Sequence, residues 1–127
     1  MMWPCPSCHT ITSEFGWRYH PIYHTQKYHS GVDIGASYGA SIVAADGGTV
    51  ITAGAVSGYG NCVVINHGNG IPTLYGHMSA ISVSSGQKVS KGQTIGYVGS
   101  TGNSTGPHLH WEVTVNGVRQ NPLNYAR

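Results

Sequence analysis

Charged side chains are scarce in this chain. Asp, Glu, Lys and Arg make up 8% of its 127 residues, and the acidic ones number four. The six basic residues are scattered, so the formal net charge of +2 provides no basic stripe that could bind nucleic acid. No apolar run approaches the length of a membrane span. These shortages argue against a nucleic-acid partner and against a membrane-spanning protein.

The amino terminus lacks the features of a secretion signal. Residues 1–4 read Met-Met-Trp-Pro, without the basic and apolar regions that such a signal needs. We therefore expect the chain to be a domain of a longer protein or to be released by another route.

Cysteine occurs three times, so at least one thiol has no partner within the chain. Residues 5–9, Cys-Pro-Ser-Cys-His, match the C-x-x-C-H haem-attachment pattern, but so short a segment leaves no room for a separate haem-binding unit. We prefer a local disulfide between Cys5 and Cys8, with a second metal site as the alternative. Cys62 lies in an apolar strand pattern and is predicted to be a small core residue.

Glycine and tyrosine are abundant, with 19 and 8 residues, as in a turn-rich β protein. The Gly, Ser and β-branched content opposes an amphipathic helix throughout. Asn116-Gly117 is a strong hairpin signal that should fold Val118 and Arg119 back onto the preceding strand. The sequence predicts one antiparallel all-β domain over residues 13–127, after an irregular segment over residues 1–12. Its clearest strands are 48–53, 61–66, 73–77, 94–98 and 108–115.

Two histidines bracket a leucine near the end of the chain. Alternate side chains share a face of a strand, so His108 and His110 should point the same way as Glu112. The opposite face, which carries Leu109 and Trp111, is consistently apolar. Burying that face while the other holds two imidazoles and a carboxylate is costly unless the polar groups have partners. A solvated outer face of an edge strand is the equal alternative.

A third histidine stands four residues before an aspartate. Ser30-Gly31 lies between His29 and Asp33 and favours a curl into a short strand over a helical turn. On these residues alone, an aspartate that caps a turn beside an unrelated histidine is the simpler interpretation.

His77 ends another strand pattern, in which alternation places Thr73, Tyr75 and His77 on one face. By itself it reads as an ordinary half-buried histidine. Two histidines and a carboxylate together, however, would make a zinc triad with one coordination position open.

The three stretches together resemble the lysostaphin and LytM-type zinc endopeptidases of bacterial cell walls. The resemblance rests on His-x-x-x-Asp at 29–33, Tyr-Gly-His-Met at 75–78 and Gly-Ser-Thr-Gly-Asn-Ser-Thr-Gly-Pro-His-Leu-His at 99–110. It extends from residues 11–18 through 89–96 to 121–123. It implies an all-β domain of that type with a groove-like active site.

The resemblance also implies roles for single residues. His29, Asp33 and His110 would bind Zn2+, and His77 and His108 would be the catalytic pair that does not bind the metal.

Two further residues have open roles. The family often places a tyrosine near the transition-state oxygen, and Tyr23 is the candidate, with Tyr19, Tyr28 and a plain packing role as alternatives. Glu112 could accept a hydrogen bond from a ligand imidazole, or pair at the surface with Lys or Arg.

The implied function is a zinc metalloendopeptidase that hydrolyses peptide bonds in the stem or crossbridge peptides of peptidoglycan. We expect a monomer that lyses or remodels the cell wall from outside the cell, including the lytic domain of a phage or secreted protein. The sequence leaves open whether a glycine bridge or a direct diaminopimelate crosslink is cut.

Two alternatives are weaker. A catalytically silent LytM-like binding or activator module would be expected to have lost ligands, whereas all five positions are present. A biotinyl or lipoyl carrier is suggested by residues 89–96, but neither Lys88 nor Lys91 has the expected sequence context.

Overall fold

Strands carry nearly all the regular structure of this protein. The computed structural model describes residues 1–20, 25–102, 104 and 106–126, and of residues 18–20 and 25–27 it describes the backbone. In this part of the chain there is no α-helix, which confirms the predicted all-β fold. The strands are β1 (Thr10–Ser13), β2 (Gly16–His20), β3 (Thr25–His29), β4 (Val32–Gly35), β5 (Ser41–Val43), β6 (Gly48–Val56), β7 (Gly60–Asn66), β8 (Pro72–Ile81), β9 (Lys88–Val89), β10 (Thr94–Val98), β11 (His108–Val115) and β12 (Val118–Gln120).

Ten of these strands form one antiparallel sheet. Its main path runs β1-β4-β11-β8-β7-β6-β9, while β12 pairs with β11, and β10 pairs with both β5 and β8. β2 and β3 form a separate two-stranded ribbon. Because β11 lies between β4 and β8, the three histidine-bearing stretches of the sequence become neighbours. No described helix is long and apolar enough to cross a membrane.

The core lies beneath one face of β11. Leu109, Trp111 and Val113 are fully buried, as the alternation predicts, and Val32 and Ile34 of β4 are buried in the same cluster. Burying one such side chain contributes about 1.5–3 kcal/mol. The other face of β11 is left for its polar residues.

The amino-terminal segment packs onto this core. Thr10 already begins β1, so regular structure starts inside the segment predicted to be irregular. The Met2 N–H donates to the Ala45 carbonyl at 2.8 Å, and the indole of Trp3 lies edge-on against Trp111 at 6.1 Å. The first residues therefore cover core side chains.

The hairpin at Asn116-Gly117 is confirmed. Both residues have positive φ, 50° and 83°, which the favoured two-residue hairpin turn requires. Val115 pairs with Val118 across it. Regular structure then continues through a 3-10 turn, Pro122–Asn124.

β8 changes the face of its side chains at His77. Thr73 and Tyr75 share a buried hydrogen bond of 2.7 Å between their hydroxyl oxygens, on the core face. His77 has φ 60°, and its ring instead lies 4.7 Å from that of His108. Met78 returns to the core, fully buried. The prediction that Thr73, Tyr75 and His77 share one face is wrong, because the left-handed backbone at His77 interrupts the alternation.

Candidate metal centre

Asp33 is the point on which the histidines converge. Its register partner across β4 and β11 is His110, whose Nδ1 lies 2.8 Å from Oδ1 of Asp33. His29 Nε2 lies 3.4 Å from Oδ2, and His108 Nε2 lies 3.6 Å from Oδ1. Sheet pairing therefore gathers residues that are 77 positions apart in the chain.

A bend in the chain brings His29 close to Asp33. His29 ends β3, and Ser30-Gly31 form the bend that leads into β4. At Gly31 a Cβ atom would collide with the Trp111 carbonyl, so glycine is needed for the close approach of the two strands. The four-residue spacing is thus a bend between two strands and not a helical turn, as predicted.

Each of the two histidines proposed as metal ligands makes a hydrogen bond through the ring nitrogen that faces away from Asp33. Nδ1 of His29 donates to the Glu14 carbonyl at 2.9 Å, which leaves Nε2 facing Asp33. Nε2 of His110 lies 2.8 Å from Oε2 of Glu112, which leaves Nδ1 facing the same aspartate. In protein metal sites, such outer hydrogen bonds set the tautomer and the ring orientation of a ligand imidazole.

His77 and His108 are oriented in a similar way. Nδ1 of His77 donates to the Thr101 carbonyl at 2.6 Å. Nδ1 of His108 lies 3.0 Å from the Gly106 carbonyl and 3.1 Å from the Ser104 hydroxyl. In the neutral form each ring therefore carries its proton on Nδ1 and presents an unprotonated Nε2.

Glu112 is a buried carboxylate with several donors. Its side chain is 3% exposed, and besides His110 it receives hydrogen bonds from the Ser30 hydroxyl at 2.6 Å, the Tyr59 hydroxyl at 2.6 Å and Arg119 Nε at 3.1 Å. Glu112 contacts both His110 and Arg119, and its burial excludes the pairing at the surface that the sequence left open. The contact with Arg119 follows from the β11–β12 hairpin.

Tyr59 was not singled out by the sequence, yet it touches two of the histidines. Its ring lies 5.6 Å from that of His110, and its carbonyl accepts the His77 N–H at 2.7 Å. It sits in the turn between β6 and β7, and no motif marks it. The only sequence signal was its place between Gly58 and Gly60.

The pKa shifts in the centre come from burial and from the hydrogen bonds between its histidines and carboxylates. Burial acts to raise the pKa of Asp33, but hydrogen bonds from His110 and His29 hold it well below its usual range. Burial likewise opposes the shift at Glu112, whose pKa falls to about 2 through His110, Ser30 and Tyr59. Burial acts to lower the pKa of His110, and its bonds to the two carboxylates raise it to about 9. Burial lowers the pKa of His77.

The donor set suits a divalent metal. One ligand atom each from His29, Asp33 and His110 lies within 4.8 Å of the others. Two imidazole nitrogens and one carboxylate oxygen are the ligands that zinc takes in hydrolytic sites, where three protein groups leave one position open. The side chains of His29 and Asp33 are 15% and 19% exposed, so the open side is accessible.

Of the three tyrosine candidates, Tyr28 is the one whose side chain the structure describes. Tyr23 lies outside the described residues, as does the side chain of Tyr19. Tyr28 is partly exposed and packs at 5.8 Å against Phe15 and at 5.2 Å against Trp17.

Comparison with known proteins identifies relatives of this domain. DD-carboxypeptidase/endopeptidase Mpg of Neisseria meningitidis serogroup B is 49% identical over 116 residues, covering 91% of this chain and 27% of the relative. The chain thus spans about a quarter of that relative's length.

Solved structures share the fold. A zinc-containing peptidase from Vibrio cholerae superposes with a TM-score of 0.86 at 37% identity, covering 93% of this chain and 37% of that one. The catalytic domain of the antimicrobial peptidase lysostaphin from Staphylococcus simulans gives a TM-score of 0.81 at 31% identity, covering 92% and 91%. The lysostaphin-type fold that the sequence predicted is confirmed. The profile of peptidase family M23 matches residues 27–122, and the chain belongs to that family.

Proposed function

We propose that this domain is a zinc-dependent endopeptidase that hydrolyses peptide bonds in the stem or crossbridge peptides of bacterial peptidoglycan. The observation that carries the proposal is the convergence of two imidazole nitrogens and a carboxylate, beside two further imidazoles held by backbone carbonyls. The names of the relatives, a DD-carboxypeptidase/endopeptidase and a zinc-containing peptidase, support the same chemistry.

In this proposal His29, Asp33 and His110 hold the zinc ion. When bound, zinc supplies a Lewis acid that activates water near neutral pH and polarises a carbonyl group. The protein contributes the fixed orientation of the ligands. The Glu14 carbonyl and the Glu112 carboxylate hold the two imidazoles so that their free nitrogens point to one place.

His108 and His77 move the protons. Nε2 of His108 accepts a proton from the attacking water and returns it to the leaving amine, a role in which an imidazole contributes about 10²–10⁴-fold. Nε2 of His77, on a ring 4.7 Å away, takes up a proton from solvent and then donates a hydrogen bond to the developing oxyanion. The two rings are oriented alike. Kinetic measurements therefore decide which histidine is the general base and which one stabilises the oxyanion.

Tyr23 and Glu112 complete the proposed set. Glu112 accepts a hydrogen bond from Nε2 of His110 and so orients its ring, and Tyr23 would contact the transition-state oxygen. We further propose that the domain acts as a monomer at the cell wall, outside the cytoplasm, as a lysin or remodelling enzyme of bacterial or phage origin.

Metal analysis and wall digestion on the same samples test the proposal. His29→Ala and Asp33→Ala should lose both zinc and lysis, whereas His108→Ala should keep zinc and lose lysis. Lysis retained by His108→Ala would contradict its role. A wild-type protein that binds no zinc at neutral pH, even after zinc is added, would instead support a silent binding module.

The bond that is cut can be read from the products. Purified peptidoglycan with glycine bridges and peptidoglycan with direct diaminopimelate crosslinks are digested separately. New amino termini identified by mass spectrometry give the cleaved bond in each. Absence of new amino termini from both would overturn the endopeptidase assignment.

A further inference from the structure

Cys5 and Cys8 form a buried turn that is separate from the metal centre. The Cys8 N–H donates to the Cys5 carbonyl at 3.0 Å and closes the turn, while Pro6 and Ser7 are exposed at its tip. Cys5 is fully buried and Cys8 is 9% exposed. Cys8 is therefore the more accessible of the two residues.

The turn makes the two cysteines neighbours before any crosslink forms. The Cys8 N–H bonds to the carbonyl of Cys5, three residues earlier, and the Ser7 hydroxyl lies 3.4 Å from Sγ of Cys8. The third cysteine, Cys62, is also buried but lies on β7 and not in this turn.

We propose that Cys5 and Cys8 form a thiol–disulfide exchange site, in which Cys8 attacks an external disulfide and Cys5 then closes an intramolecular one. The assignment of the attacking sulfur rests on exposure and on the neighbouring hydroxyl. This assignment agrees with the pKa shifts of the two thiols. Burial raises the pKa of Cys5 to about 12. At Cys8 burial also acts to raise the pKa, but hydrogen bonds from Ser7 and Cys5 outweigh it and lower the pKa.

The exchange balances with one external disulfide, which is the oxidant. The Cys8 thiolate displaces one thiolate from it and forms a mixed disulfide. The Cys5 thiol then loses its proton to solvent, attacks Sγ of Cys8 and releases the second external thiolate. Two cysteine thiols are oxidised and one external disulfide is reduced to two thiols.

The turn is connected to the core through Trp3, so oxidation should affect that side chain. The Trp3 indole N–H donates to the Cys8 carbonyl at 2.6 Å, and the indole lies edge-on against Trp111 of β11. A disulfide would restrict the position of the Cys8 carbonyl, which accepts the hydrogen bond from Trp3. We therefore expect tryptophan fluorescence to change as the crosslink forms.

Oxidised glutathione is a suitable probe for the intact chain in its reduced form. After incubation, free thiols are alkylated in denaturant and the peptides are identified by mass spectrometry. The expected product links Cys5 to Cys8, lighter by two hydrogen atoms, with Cys62 alkylated. A product that involves Cys62, or no product at all, would overturn the proposal.

Two variants separate the roles of the sulfurs. Cys5→Ser should accumulate a stable glutathione adduct on Cys8, whereas Cys8→Ser should form neither adduct nor crosslink. Equal adduct formation by both variants would contradict the assigned order.

Because serine at a buried site can disturb folding, brief alkylation of the native wild-type protein provides an independent measurement. Cys8 should be labelled at least about 10-fold faster than Cys5 or Cys62, since reactivity follows exposure and thiolate character. Labelling of Cys5 first would refute the order in a protein that is certainly folded.

Discussion

The Tyr59 hydroxyl donates a hydrogen bond of 2.6 Å to the carboxylate of Glu112. That carboxylate in turn lies 2.8 Å from the far nitrogen of His110. A side chain in the turn between β6 and β7 therefore helps to orient a metal-ligand candidate through the carboxylate of Glu112.

Removing this hydroxyl should weaken metal binding without abolishing it. Loss of a hydrogen-bond partner beyond a metal ligand typically costs about 10–100-fold in metal affinity, and we expect that loss for Glu112→Gln. Tyr59→Phe removes one of several donors to Glu112, so its loss should be smaller, below about 10-fold. Zinc titration against a competing chelator measures both.

Tyr38→Phe is the matched control, because Tyr38 is 70% exposed. An affinity for zinc that is unchanged in Tyr59→Phe but reduced in Glu112→Gln would show that the hydroxyl is dispensable for orienting the carboxylate.

Zinc should stabilise the folded chain through the proposed ligands. A ligand that binds only the folded state adds about 2.7 kcal/mol when its free concentration is 100 times Kd. Thermal unfolding with zinc, and again with a chelator, should therefore give a higher Tm for the wild type and for His108→Ala when zinc is present. Asp33→Asn keeps the size of the side chain and should lose this shift. A full shift in Asp33→Asn would remove Asp33 from the ligand set.

Gly31 is predicted to tolerate no side chain. In Gly31→Ala the new Cβ would meet the Trp111 carbonyl and Cγ of Glu112. Crowding of this kind costs typically about 1–3 kcal/mol, so the free energy of unfolding in urea should fall by that amount. Gly47→Ala is the control, since its Cβ would make ordinary contacts at 3.5 Å and beyond. Equal stability of the two variants would mean that β4 and β11 can separate at little cost.

Leu109 should matter for stability far more than an exposed leucine. Leu109 stands between His108 and His110 in the sequence and is fully buried on the opposite face of β11. Its truncation to alanine should cost about 2–5 kcal/mol. Leu123 is 39% exposed, and Leu123→Ala should stay within about 0.5 kcal/mol of the wild type. Chemical unfolding of both variants measures the difference. A small loss in Leu109→Ala would indicate that the buried face of β11 repacks.

The sequence predicted the parts of the site that depend on local periodicity. β11 was predicted with its correct bounds, and its polar and apolar faces followed from alternation alone. The strand 94–98 and the turn at Asn116-Gly117 were predicted for the same reason, because strand period and turn chemistry are local.

What the sequence could not predict depends on distant contacts. The position of Tyr59 beside His110 results from the pairing of β7 with β8 and of β8 with β11, which no local pattern encodes. The face of His77 was predicted wrongly, because its left-handed backbone is held by a hydrogen bond to the Tyr59 carbonyl, from a turn that lies far from it in sequence.

The backbone of His77 also determines which amino acids can occupy that position. At φ 60° glycine and asparagine fit readily, whereas valine, isoleucine and threonine are strained. In a library randomised at residue 77, well-folded inactive clones should therefore be rich in asparagine and glycine, and β-branched clones should be depleted before activity is ever assayed. The backbone conformation thus restricts which amino acids allow folding at residue 77, and the proposed chemistry further restricts which of them allow activity.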